Sequence, residues 1–215
     1  MTAALLSARR VARRFGSRTV LEPIDLDLAR GEVVALGGPN GAGKSTLLAI
    51  LAGALAPSNG SVEAPDPARV GWMPQQPALY RRLTPRGNLD LFARLAGLAD
   101  PAAAVTGALE AVGLDAEERR AATLSVGNVQ RLNLAIGLLG DPHVLLLDEP
   151  TASLDVAHRQ RLWRLVAGIR EAGGAVLFAT HNLEEARRWA DRLLVLEDGV
   201  ATYTGPPGDY REETA

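Results

Sequence analysis

A chain of 215 residues has room for one or two domains and a sizeable core. Its net charge of −2 and pI near 6.0 exclude any global attraction to nucleic acid or anionic lipid, although 22 arginines leave local basic patches available. With no cysteine there is no disulfide frame and no thiolate zinc site, and no apolar run approaches the ~20 residues that span a bilayer.

Arg9, Arg10, Arg13 and Arg14 form a basic cluster near the start. No apolar segment of roughly 7–15 residues follows it, so it does not read as an export signal. The alternation around Val20, Ile24, Leu26 and Leu28 predicts strand instead. Short β-like runs between residues 5 and 36, broken at Phe15-Gly16-Ser17 and Ala29-Arg30-Gly31, predict a small antiparallel sheet. Val33-Val34-Ala35-Leu36 then reads as a strand buried on both faces, the mark of a parallel sheet.

The stretch that follows, Gly38-Pro39-Asn40-Gly41-Ala42-Gly43-Lys44-Ser45-Thr46, lies between that strand and an apolar helical pattern. In such a loop backbone N–H groups converge on an anion and the next helix aims its positive end at it. Asn40, Gly41, Ala42, Gly43, Lys44, Ser45 and Thr46 are therefore candidate nucleotide-binding residues. Lys44 is placed to reach the terminal phosphates and Ser45 to ligate Mg²⁺. Lys44 is also the only lysine of the chain. A compact ammonium stands where a planar guanidinium would fit badly.

Leu47, Leu48, Leu51 and Leu55 predict a helix that ends before Pro57-Ser58-Asn59-Gly60. From about residue 77 to 123 the sequence reads as helical throughout. Thr84-Pro85 and Asp100-Pro101 pair an N-cap with a first-turn proline, and Asp115 with Glu118 resembles a capping box. From His143 onward apolar runs at 144–147, 176–179 and 193–196 alternate with helical patterns, one of which ends at Gly173-Gly174. The expected class is α/β, with a mostly parallel central sheet, an N-terminal antiparallel β piece and a helical insertion.

The strand Val144-Leu145-Leu146-Leu147 terminates in Asp148-Glu149-Pro150. Adjacent side chains leave a strand in opposite directions. Asp148 is thus the candidate metal-side carboxylate and Glu149 the candidate general base toward an attacking water.

In order along the chain, the phosphate loop, Gln75, Leu124-Ser125-Val126-Gly127-Asn128, residues 145–150, Ser153-Leu154-Asp155 and Thr180-His181 resemble the motifs of ATP-binding-cassette (ABC) ATPases. The resemblance covers nearly the whole chain. It implies a P-loop NTPase fold in one domain over residues 1–215, with the helical subdomain inserted at about 77–135. It also implies that Phe15 stacks on adenine, that Gln75 senses Mg²⁺ and water, that Asp155 crosses a dimer interface and that His181 holds the γ-phosphate. Read alone, Phe15 is a half-buried aromatic, Asp155 an N-cap, and His181 a neighbour of the capping pair Asn182 and Glu185. His143 and His158 read as surface residues.

The family pattern at 124–128 is usually Leu-Ser-Gly-Gly-Gln, and this chain departs from it at Val126 and Asn128. In the family that motif opens a helix whose Ser and second Gly, here Ser125 and Gly127, meet the ATP of an opposite subunit. A negative φ tolerates Val126 and a positive one strains it. The expectation is a working but weakened composite site.

The resemblance further implies ATP and Mg²⁺ as cofactors, with Lys44, Gln75, Glu149 and His181 at the reaction and Ser45, Gln75 and Asp148 at the metal. Its partners would be a membrane permease and a second nucleotide-binding subunit, identical or different, at the cytoplasmic face of the membrane, with no nucleic acid. Residues 77–84 and 199–205 look exporter-like. The rival expectation is a regulatory or non-transport cassette with weakened hydrolysis.

Overall fold

The computed structural model describes residues 4–115 and 119–211. Two sheets form its frame. Strands β1 (Ala4–Phe15), β2 (Arg18–Ala29) and β4 (Asn59–Glu63) pair antiparallel in the order β2-β1-β4. Strands β3 (Val33–Gly37), β5 (Val70–Met73), β6 (Val144–Asp148), β7 (Ala175–Ala179), β8 (Arg192–Glu197) and β9 (Val200–Gly205) form the larger sheet in the order β5-β6-β7-β3-β8-β9. All its pairings are parallel except the β8–β9 hairpin.

The expected short β runs are in fact two 12-residue strands. Register shifts along β1, with Arg10 at φ 48°, break their alternation, so the sequence shows several fragments where the backbone makes one bent ribbon.

β3, β6 and β7 are apolar up to Asp148 and buried up to Gly37 because the large sheet is packed on both faces. Strand alternation divides their side chains. Val34, Leu36, Val144 and Leu146 face a core shared with the antiparallel sheet and helix α1 (Lys44–Leu51). Val33, Ala35, Leu145 and Leu147 face a second core under helices α2 (Pro85–Leu95), α3 (Pro101–Val112), α4 (Val126–Leu138), α5 (Val156–Glu171) and α6 (Leu183–Trp189). There Trp163 stacks on Trp189 at 4.9 Å and meets the edge of Phe178 at 5.0 Å.

Thr84 and Asp100 cap α2 and α3 as expected, accepting from Gly87 and Ala103 N–H with proline in the first turn. Residues 77–84, expected to be helical, are irregular. The fully buried Asn88 explains this: its side chain accepts from Tyr80 N–H and donates to the carbonyls of Tyr80 and Thr84, holding that segment in a loop. Leu55, expected inside the first helix, lies beyond it, since α1 ends at Leu51 and Gly53 turns the chain at φ 73°. The Asp115–Glu118 capping box involves a residue outside those described.

Candidate active site

The central strands β6, β7 and β3 lie side by side and end at the same edge, so the loops after them are brought together there. After β3 comes the Gly-rich loop. Gly38, at φ 127°, could not be any other residue: an added Cβ would stand 2.0 Å from the Leu196 carbonyl oxygen. Gly43 is the N-cap of α1 at φ 103°, and a Cβ there would meet Leu21 at 2.5 Å. Gly43 has no side chain to cap α1 and the first turn of α1 has no acid, so its leading N–H groups are left to an anion.

Lys44 is buried, and its Nζ donates to the carbonyls of Gly38 at 2.6 Å and Pro39 at 2.9 Å. The lysine therefore arches back over the loop it follows. Burial holds its pKa below the usual lysine value, opposed by the charges of Glu149 and Asp148.

Asp148 ends β6 and is buried. The Ser45 side chain and the Gln75 backbone favour its ionised form and draw its pKa down. Burial nonetheless keeps its pKa above the ordinary carboxylate range, with the neighbouring Glu149 charge adding to the rise. Lys44, Ser45 and Asp148 are brought together beside the backbone of Gln75. Gln75 itself is exposed.

Glu149 departs from the strand at φ 50°, its N–H donating to Ala179 at 3.1 Å. This turn directs its carboxylate to His181, whose Nδ1 lies 3.0 Å from both oxygens. His181 follows β7, the strand paired with β6 in register, so the Asp148–Ala179 match sets its distance from Glu149. The expected Asn182–Glu185 capping box is not formed. Asn182 accepts from Glu184 N–H, whereas Glu185 is engaged by the Thr180 hydroxyl at 2.9 Å.

The remaining predicted residues make a separate group. Ser125 caps α4, accepting from Asn128 N–H at 3.3 Å, and Gly127 sits in its first turn. A Cβ on Gly127 would stand 3.4 Å from the Ser153 carbonyl, so this helix start and the loop before α5 abut. Val126 has helical, not positive, φ and is 66% exposed. The feared backbone strain is absent. Asn128 accepts from the Arg131 guanidinium.

Asp155 caps α5, and its carboxylate also meets His158 Nδ1 at 2.8 Å, the His158 contacts drawing its pKa down. His158, expected to be a surface residue, is half-buried and is the partner of this loop aspartate. The signal was its position three residues beyond an N-cap acid. Phe15 ends β1 and is 47% exposed.

The donor set suits Mg²⁺. Ser45 and Asp148 offer hard oxygen atoms, and no group of three or more His, Cys, Asp or Glu that could hold a metal occurs among the described residues. A cation held by these two oxygens would leave most of its shell to phosphate and water, which is the habit of Mg²⁺.

The profile of the ABC transporter family matches residues 21–152. The chain is 38% identical over 216 residues to the Nod factor export ATP-binding protein I of Bradyrhizobium diazoefficiens, covering 94% of this chain and 71% of that protein. It is 40% identical over 216 residues to the hemin import ATP-binding protein HmuV of Nocardia farcinica, covering 92% and 75%. A solved ATP-binding subunit of an ABC transporter is similar at TM-score 0.85 and 27% identity, over 94% of this chain and 90% of that one.

Proposed function

The chain belongs to the ABC transporter family and is an ATPase, and from that premise we propose that it hydrolyses Mg-ATP to drive a separate membrane permease. One observation carries this reading: two adjacent acids end β6, Asp148 buried where Ser45 of the phosphate loop favours its charge, and Glu149 held by His181. Among the described residues no helix is long and apolar enough to cross a membrane, so the path for substrate belongs to a partner.

The loop from Gly38 and the start of α1 bind the phosphates, and Lys44 turns from its own loop carbonyls to the terminal phosphate oxygens. Ser45 and Asp148 would hold Mg²⁺, with Gln75 beside them, and the ion when bound neutralises charge developing on the phosphates. Glu149 takes the proton of the attacking water. His181 orients that carboxylate and stands ready for the γ-phosphate, and Phe15 offers its ring to the base. Ser125 and Gly127, heading a helix of their own, serve the ATP of a second cassette, with Asp155 at the seam. The helical piece at about 77–135 passes the closure on to the permease at the cytoplasmic face of the membrane. Export is the direction we assign, on the exporter-like segments 77–84 and 199–205. The named relatives include both an export and an import protein.

The test is Mg-dependent ATP hydrolysis by the purified chain and by Lys44→Ala. A loss of more than about 100-fold is expected, the scale of removing a preorganised electrostatic contact to the reacting group. Equal rates would overturn the reading. ATP-driven uptake into everted vesicles holding the chain and its co-purifying permease identifies export, and uptake into right-side-out vesicles identifies import.

A further inference from the structure

We propose that Arg13 is a positioning residue for the nucleobase, acting through Phe15. The inference rests on the reading above, in which the Phe15 ring stacks on the base. That ring stands at the tip of β1, where an exposed aromatic has few neighbours to fix its plane. Arg13 supplies one. Its guanidinium carbon lies 4.4 Å from the Phe15 ring centroid, so the cation covers one face and leaves the other to a ligand.

The guanidinium is itself anchored. It donates to the Ala56 carbonyl at 2.8 Å, in the segment just after α1. Around it Arg14 N–H donates to Ser58 Oγ at 3.1 Å, and Ser58 N–H donates to the Ala12 carbonyl at 2.8 Å. The strand end bearing the ring is therefore laced to the far end of the helix whose start binds phosphate. Arg13 Nε is buried without a hydrogen-bond partner, as expected of a planar group placed for stacking at the expense of one donor.

This arrangement makes a three-layer stack of guanidinium, ring and purine. The cation draws electron density from the ring, and the ring's free face then suits an electron-rich base. Only a flat guanidinium can lie on the ring and reach the Ala56 carbonyl together, so lysine is a poor substitute.

Calorimetric titration with ATP and with inorganic tripolyphosphate, which carries the same charge pattern without a base, tests this. Arg13→Ala is expected to weaken ATP binding about five- to tenfold, with Arg13→Lys in between. Tripolyphosphate affinity should be unchanged in both, which also reports that the phosphate loop is folded. Equal weakening of both ligands, or unchanged ATP affinity in Arg13→Ala while Phe15→Ala weakens it, overturns the role of Arg13. Unchanged ATP affinity in Phe15→Ala overturns the base-stacking reading itself, and the inference falls with it.

Discussion

His181 Nδ1 lies 3.0 Å from each carboxylate oxygen of Glu149, and Glu149 holds that place with a left-handed φ of 50°. A non-glycine residue rarely takes such a backbone, and its occurrence at the end of β6 is the kind of local strain that persists where the surroundings over-determine it. Here they do: the Glu149 N–H bonds to β7, its carbonyl accepts from Ala152, and its side chain is gripped by the residue that follows Thr180. Glu149 and His181 thus form one unit delivered by two neighbouring strands.

Residues that act as a unit lose function non-additively. Glu149→Gln should lower ATP turnover by about 10²- to 10⁴-fold while ATP still binds. His181→Ala should also lower it, and the double variant should be no slower than Glu149→Gln to within about a factor of two, a coupling the double-mutant cycle measures directly. Fully multiplicative losses in single-turnover assays would show that the two groups work independently.

Asp148 makes the opposite trade, between stability and function. Burial raises its folded pKa above that of the unfolded chain. Between the two values the folded state binds more protons, so stability falls as pH rises through that window, and the loss is complete above the folded pKa. Above its folded pKa the ionised carboxylate therefore destabilises the metal-free protein. Asp148→Asn should raise the Tm by a few degrees, roughly 2–4 °C per kcal/mol in a chain of this size, and abolish Mg-stimulated turnover. The stability difference should shrink on acidification to about pH 4. A variant melting below the parent at pH 7.5 without metal would refute this account.

Val126 is unstrained but projects from the first turn of α4 beside Ser125 and Gly127. Its effect must then arise from the side chain. Replacing it by glycine should increase ATP-dependent association and turnover several-fold at a stability cost of at most about 1 kcal/mol. Light scattering and a coupled ATPase assay read the two quantities, and identical values for parent and variant would remove Val126 as an attenuator.

Much of this was legible in the residues themselves. The aliphatic runs at 144–147 and 176–179 can be buried only in a sheet covered on both faces, and their spacing by helical patterns demands parallel connections. The glycines at 38 and 43, the lone lysine and the paired acids announce phosphate chemistry through local backbone and charge requirements. The helix starts at Thr84, Asp100 and Asp155 follow from N-cap chemistry alone, since a cap is satisfied within three residues of itself, whereas the start at Ser125 was implied by the family resemblance.

What needed the tertiary structure involves partners distant in sequence or interactions that compete locally. Residues 77–84 look helical until the buried Asn88 takes their backbone groups. Glu185 looks like part of a capping box until Thr180 claims it. Gln75 meets Asp148 across β5 and β6, His181 meets Glu149 across β6 and β7, and Arg13 finds Ala56 beyond α1. The sequence by itself determined which groups are candidates for the chemistry. Only the register of adjacent strands, set by packing over the whole sheet, decided which of those groups touch.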